Sequence, residues 1–518
     1  MKNLSENAAA RSTEVNRYVI AVTVMFGAFI AVMDISVVNV AMPHMMGTFS
    51  EDLSSITWVA TAYSIAEIIM VTLAGWFSTL IGRKKLYLWS FALFTLGSVL
   101  CGTAVSFPQM LFYRILQGIG GGSLIPVSQA ILRESFPQEE QGMAMAIFGM
   151  GVVLAPAMGP VVGGWLTDNY GWPWIFFINI PVSIVGIFMV GAFVHDPSYL
   201  RRGVKKIDWI GIVLLAVSLT TMQIVLERGQ SENWFESKMI VLGTVICIIS
   251  LITLIYWELK IAEPVINFRI LKNIPLTLGS AMGIIFGIAL FGTTFILPQF
   301  TQALLGYPAF QAGLVLAPRA LMLFICMPVV GRLYNHVDPR VLVLLGVGIT
   351  CFSYYELAGL SIDAGFWNLV PTLLVMGVGM PFMFVTLSTL SLATVPRPDM
   401  TDATSLYTLA RRVGGNIGYA LAATMVARGQ QIHRSTLIGH VNPYNVNYQE
   451  YIRIISNALG LGSEQSVHAV AEKIVNLQSM MMAYNDVSWL FGILFLSTVP
   501  LVLLLPGRAA LKARTYKL

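Results

Sequence analysis

Residues Gly149 to Gly164 read GMGVVLAPAMGPVVGG and lie inside an apolar run from Met143 to Leu166. A helix needs about 20 apolar residues to cross a bilayer, and this run supplies them. Gly151, Ala155, Gly159 and Gly163 recur every fourth residue, and Pro156 and Pro160 repeat the same spacing, with Gly164 closing the stretch. In water such a helix would be poor, since Gly costs about 1 kcal/mol and Pro about 3 kcal/mol relative to Ala. In a membrane the backbone has few other ways to satisfy its hydrogen bonds, and a ridge of small residues lets helices approach closely. The stretch therefore reads as a spanning helix packed at a tight interface. That interface is either a static contact or a surface that moves, and the expected neighbour is the tenth apolar span.

The rest of the chain is of the same kind. Of 518 residues, 56% are hydrophobic and 11% charged, against about 25% charge in a soluble domain. An all-α polytopic membrane protein follows. The cysteines (Cys101, Cys247, Cys326 and Cys351) all lie in apolar runs, and the histidines have no ligand-like spacing, so no disulfide, metal or cofactor is expected. No GxxxxGK[ST] phosphate loop and no nucleophile constellation occurs, which argues against an enzyme and against an ATP-driven pump. The formal charge of +5 does not point to nucleic acid, because its placement follows a membrane rule. The polar start, MKNLSENAAARSTEVNR, lacks a short apolar core with a cleavage site and reads as a cytoplasmic tail.

Fourteen segments between residues 18 and 506 are apolar and long enough to span, which puts both termini on one side. With the N-terminus inside, twenty-one of the 31 Lys and Arg fall in cytoplasmic segments and six outside; Arg114, Arg319, Arg411 and Arg412 fall within spans. That asymmetry obeys the positive-inside rule and places both termini in the cytoplasm. An internal repeat divides the chain: the second span ends in GWFSTLIGRKK (Gly75 to Lys85) and the tenth in GRLYNHVDPR (Gly331 to Arg340). The expected plan is an N-terminal six-helix bundle over 1–206, two inserted helices over 207–260, and a C-terminal six-helix bundle over 261–518. A polar outer loop, about 429–483, carries two helical patterns and is either a cap over the outer mouth or a docking surface. Duplication of this kind is a recurrent transporter plan, with the substrate between the halves near the midplane.

Specific motifs sit on these spans. The first carries MDISVVNVAMP (Met33 to Pro43), the fourth Arg114-Ile-Leu-Gln117-Gly118, and the sixth begins WPWIFFINIP (Trp172 to Pro181). The thirteenth carries RRVGGNIG (Arg411 to Gly418), and the outer loop Val441-Asn-Pro-Tyr444. With the opening stretch, which is similar to the antiporter motif GxxxGPxxGG, these resemble the major facilitator superfamily, in particular the fourteen-span drug/proton antiporters of EmrB/QacA type and its EmrB subgroup. The resemblance covers nearly the whole chain. It implies an exporter in a bacterial inner membrane, driven by the proton gradient without a cofactor. It also implies a periplasmic adaptor protein and an outer-membrane channel as partners. Two departures stand out. Thr79 and Leu80 occupy positions where many members carry Asp and Arg, and Glu67 and Arg319 are no part of the EmrB pattern.

Charges at membrane depth cost about 2.5–3.5 kcal/mol each on insertion scales, which makes them functional candidates. Asp34 and Arg114 fall at similar depth in the outer half, so Arg114 is expected to govern protonation of Asp34. Glu67, a turn beyond Tyr63, is expected to be a second titratable or cation-selecting site, with Arg411 as the candidate partner. Arg319, after Pro318, suits an anionic substrate group or Glu356. Gln117 lies one turn below Arg114 on the same face. Asn39, Gln299, Tyr407 and Asn416 are polar residues in apolar spans and complete the candidate substrate contacts with Tyr63, Gln117, Arg319 and Arg411. Met33, Trp58, Phe291, Phe295, Met380 and Phe384 would suit an apolar cavity or ordinary packing. The function expected is proton-coupled export of hydrophobic, often cationic, compounds by alternating access. One alternative is a dedicated exporter of one metabolite or siderophore. A non-transporting scaffold is another, against which the mid-span charges argue.

Overall fold

A computed structural model describes residues 16–196, 207–442, 444–459 and 464–507. The basic residues of the sidedness argument at 1–15, 201–206 and 508–518, and the side chain of Pro160, lie outside the described residues. Fourteen long helices follow one another where the apolar segments lie. They are α1 (Arg17–Phe49), α2 (Trp58–Ile81), α3 (Arg83–Gly102), α4 (Phe107–Ser135), α5 (Gln141–Tyr170), α6 (Trp174–Phe193) and α7 (Trp209–Arg228). Then come α8 (Lys238–Lys260), α9 (Ile274–Ala303), α10 (Gln311–Leu333), α11 (Pro339–Ala358), α12 (Phe366–Ser391), α13 (Met400–Ile438) and α14 (Glu464–Leu496). Among the described residues twelve spans are long and apolar enough to cross a membrane, or thirteen with the bent stretch containing α5 counted as one span. Helix α13 fails that test through its polar residues, Arg411 and Arg412 among them. Among the described residues there is no strand.

Local chemistry sets the helix ends. Side chains of Asn16, Asp208, Asn273 and Asp338 accept from backbone N–H groups in the first turns of α1, α7, α9 and α11, satisfying donors that a helix leaves open. Gly82, at φ 90°, turns α2 directly into α3, a conformation that glycine adopts without steric cost. The polar stretch expected as an outer loop is largely helical: α13 runs on to Ile438, a separate helix spans Val446–Leu459, and α14 begins at Glu464.

The packing has a repeating pattern. In the first part α1 lies on α5, α2 on α4, α3 on α4 and α6; in the second, α9 lies on α13, α10 on α12, and α11 on α12 and α14. The two parts meet where α5 packs on α10 and α2 on α13. Helix α7 lies against both α2 and α13, and α8 packs mainly on α7.

The glycine stretch of α5 has two working faces. A Cβ added at Gly159 would stand 2.5 Å from Ser36 Cβ, and one at Gly163 would stand 2.9 Å from Val37 Cγ1; Gly151 abuts Met25. Ser36 donates to Pro156 O at 3.1 Å. The ridge of Gly151, Ala155, Gly159 and Gly163 therefore seats α1, within the first part, and not α10 as its sequence suggested. Gly142 and Gly149 do meet the second part: an added Cβ would lie 2.5 Å from Gly331 O and 2.7 Å from Met327 Sδ, respectively. Residues 149 and 151 are about 200° apart around a helix of 3.6 residues per turn, so the two faces are nearly opposite. Sequence spacing identified the ridge but not its neighbour. Helix α5 bends by 42° between Pro156 and Val161, where proline removes a backbone donor.

Candidate functional site

The deepest polar cluster is built on Asp34 of α1. Arg114 Nη1 donates to its Oδ2 at 2.6 Å, while Gln117 Nε2 and Asn179 Nδ2 donate to its Oδ1 at 2.8 and 2.9 Å. Arg114 Nη1 also reaches Gln117 Oε1 at 2.6 Å, and Arg114 Nε donates to Val59 O at 2.9 Å. Ser98 ties the rim together, accepting from Gln117 and Asn179 and donating to Phe176 O. The guanidinium lies 4.4 Å from the centroid of the Tyr63 ring, a cation–π contact that gains strength where water is excluded. Asp34, Tyr63, Arg114, Gln117 and Asn179 are all buried. Gly118 allows this closeness: a Cβ there would stand 2.5 Å from Tyr63 O on α2. Arg114 Nη2 and Asn179 Oδ1 have no hydrogen-bond partner among the described residues, so the cluster keeps a spare donor and a spare acceptor.

The second carboxylate is held across the two parts. Glu67 of α2 is fully buried and pairs through Oε2 with Arg412 of α13. Its expected partner, Arg411, points elsewhere, with its guanidinium 5.1 Å from the centroid of Phe384 and its Nη1 unpartnered. Consecutive helical residues diverge by about 100°, so only one of the two arginines can face α2. Asn416, one turn beyond Arg412, donates to Gln223 of α7. Neither Arg412 nor Gln223 was a sequence candidate for these contacts. Arg412 had the same motif as Arg411, and Gln223 sits in a helix that no motif marks.

At the end of α2 expected to face the cytoplasm, a further polar set crosses the same seam. Buried Arg83 pairs with Glu134 of α4 and donates through Nε to Thr401 Oγ1 of α13 at 2.7 Å. An added Cβ at Gly75 would stand 2.9 Å from Asp402 Cα. Asp402 thus brings a carboxylate against α2 at Gly75, one turn before Thr79 and Leu80.

The remaining candidates scatter. Buried Arg319 donates to Thr294 Oγ1 at 2.9 Å and leaves Nη1 unpartnered. Glu356 is exposed and accepts from Thr372 instead of meeting Arg319. Tyr407 is buried one turn below Arg411. Asn39 and Gln299 are exposed and stand outside both carboxylate clusters. Met33, Met380 and Phe384 are buried, and Phe384 stacks on Phe148 of α5 at 6.5 Å. The N-terminal cluster also recruits Ser98 and Asn179. Asn179 lay in the quoted WPWIFFINIP motif but was not singled out as a site residue.

Comparison with known proteins agrees with this architecture. The Major Facilitator Superfamily model matches residues 24–419. The multidrug export protein EmrB of Escherichia coli strain K12 is 32% identical over 93% of this chain and 94% of its own length. The fatty acid resistance protein FarB of Neisseria gonorrhoeae is 30% identical over 92% and 93%. Among solved structures, the proton:xylose symporter XylE superposes with a TM-score of 0.60 at 13% identity, covering 96% of this chain and 98% of its own. That likeness speaks for the fold alone. A multi-pass membrane transporter, not an enzyme, is what these observations describe: the chain belongs to the major facilitator superfamily and, within it, to the EmrB family.

Proposed function

We propose that this protein is a proton-driven multidrug exporter that moves hydrophobic, often cationic, compounds out of the cell by alternating access. The reading places it in a bacterial inner membrane with fourteen spans and both termini in the cytoplasm. Helices α1–α6 and α9–α14 form two six-helix bundles, and α7 and α8 form an inserted pair. It further gives the exporter a periplasmic adaptor and an outer-membrane channel as partners, and the outer ends of α13 and α14 as their docking face. EmrB, the relative named above, is a multidrug export protein.

The observation that carries the reading is the placement of two buried carboxylates, each with an arginine, at membrane depth. Asp34 is held by Arg114, Gln117 and Asn179, and Glu67 by Arg412. A transporter can use such groups by exchanging their arginine contacts for proton occupancy as access alternates. The test uses the purified protein in proteoliposomes, with substrate-induced proton release measured across a panel of hydrophobic cations. Release by many unrelated cations supports multidrug export. Full proton-driven transport by Asp34→Asn would remove the coupling role of Asp34.

A second reading has its own observation. Arg319 and Arg411 are buried guanidiniums, each with Nη1 unpartnered among the described residues. A buried charge is costly unless it is paired, and an anionic group on the substrate would pair it. Export of one dedicated anionic amphiphile is therefore the alternative. A proton-release response confined to one carboxylate compound in the same panel would favour it.

A further inference from the structure

The inserted helix α7 has no part in either reading, yet it carries polar residues into the seam between α2 and α13. Gln223 and Glu227 lie one turn apart on one face. Thr61 of α2 donates to Glu227 Oε1 at 2.6 Å, and Gln223 Nε2 donates to Glu227 Oε2 at 3.2 Å. Gln223 Oε1 in turn accepts from Asn416, which stands one turn from Arg412 and its pair with Glu67. Every donor in this series points toward Glu227.

Depth orders the same residues. Helices α7 and α13 run the same way, since Gln223 meets Asn416 and, in the turn just past the end of α7, Trp234 donates to Thr424 further along α13 at 3.0 Å. At 1.5 Å per residue, Asn416 lies about 6 Å beyond Arg412, and Thr61 about 9 Å beyond Glu67, toward the end of α2 expected to face outward. A polar ladder therefore climbs from the buried Glu67–Arg412 pair through Asn416 and Gln223 to Glu227. Other charged or titratable groups around Glu227 are Arg228 beside it, whose guanidinium lies 4.9 Å from the Trp58 ring, and Tyr419 of α13.

Resting on the proton-driven reading above, we propose that Glu227 is the outer proton entrance to Glu67, with the Gln223–Asn416 bridge as its gate. A proton from the outer water adds to Glu227 Oε2, and the neutral carboxyl, now a donor at that oxygen and a much weaker acceptor, gives up most of its hold on Gln223. The bridge to Asn416 loosens, water enters the seam, and the proton passes to Glu67 as Arg412 releases it. Glu227 returns to a carboxylate, and no covalent bond other than O–H forms or breaks.

The test compares wild type, Glu227→Gln and Glu227→Asp in proteoliposomes, recording substrate-induced proton flux against outer pH and, separately, binding of ethidium as a fluorescent hydrophobic cation. Glu227→Gln is expected to lower proton flux by about 10-fold or more and to flatten its dependence on outer pH, with ethidium affinity held within about twofold. Glu227→Asp should restore the pH profile. A Glu227→Gln protein with the flux and pH profile of wild type would overturn the entrance and leave proton coupling standing. So would equal losses of flux, ethidium binding and folded protein, which mark a structural role. A wild type that moves no protons with substrate removes the proton-driven reading and the entrance with it.

Discussion

Asp34 and Glu67 are both carboxylates buried beside an arginine, but they are held in different ways. Every partner of Asp34 comes from the first six helices: Arg114 and Gln117 from α4 and Asn179 from α6, with Ser98 of α3 behind them. Glu67 reaches over the seam to Arg412 on α13. If the two parts rock against one another, the first cluster travels as a unit, whereas the second pair must break and re-form. The difference suggests a division of labour, in which Asp34 is a preassembled site and Glu67 reports whether the seam is closed.

The largest effect expected is at the preassembled site. Asp34→Asn keeps the shape and part of the hydrogen bonding but removes the charge, and proton-coupled export should fall by about 100-fold or more. Asp34→Ala goes further, because it also takes away every acceptor oxygen that Arg114, Gln117 and Asn179 share. Removing one member of a buried pair costs about 3–5 kcal/mol, so thermal unfolding in detergent should shift down for both variants, and further for Asp34→Ala. Unfolding of Asp34→Asn at the wild-type temperature would show that the cluster is held by packing and not by its charge pair.

The glycines of α5 sharpen the same contrast. Gly159→Val drives a side chain into Ser36 within the first part, and overpacking of this kind costs about 1–3 kcal/mol. Its signature should be less folded protein on size-exclusion chromatography. Gly142→Val instead crowds Gly331 across the seam, and should leave folded protein in place while slowing transport. Equal transport per folded molecule in wild type and Gly142→Val would mean that the α5–α10 contact does not move.

A smaller effect is expected at the crossing pair. A double-mutant cycle between Glu67→Gln and Arg412→Gln should return a coupling of about 0.5–3 kcal/mol, as contacting residues do. The same cycle with Arg411 should return none, since that side chain lies over Phe384. Exchanging the charges, Glu67→Arg with Arg412→Glu, should recover part of the transport that either change loses alone. Coupling through Arg411 would reverse the assignment.

The legibility of these regions in the sequence follows their chemistry. The helices were readable because apolar runs of bilayer length have few other folds available. Asp34, Arg114 and Gln117 were readable as a group because their depth and helical phase could be counted from span ends. Glu67 and Arg319 were found as charges out of place. Partner choice across the seam was not readable, because it depends on how helices distant in sequence are rotated against one another. The phase of α13 selects Arg412 over Arg411, and the sandwiching of α5 sends its glycine ridge to α1. Gln223 and Glu227 were invisible for a related reason: one amide and one acid near the end of an apolar helix look like a solvated rim until α2 and α13 are placed beside them.

The smallest effect is expected where α13 and α14 run on beyond the buried clusters. Arg434 donates to Glu472 at 3.0 Å and to Asn476 at 2.7 Å, with the Arg434 and Glu472 side chains 40% and 63% exposed. Pairs this exposed contribute about 0.2–1 kcal/mol and are weakened by salt. Glu472→Gln should therefore shift thermal unfolding by little, and the shift should vanish as salt is raised toward 1 M, where the Debye length is about 3 Å. The buried Glu67–Arg412 pair, under the same titration, should lose almost none of its coupling, because screening ions do not reach it. A salt-resistant loss at Glu472 would mean that the outer ends of α13 and α14 are clamped to the seam below, and that an event at the outer surface is felt at Glu67.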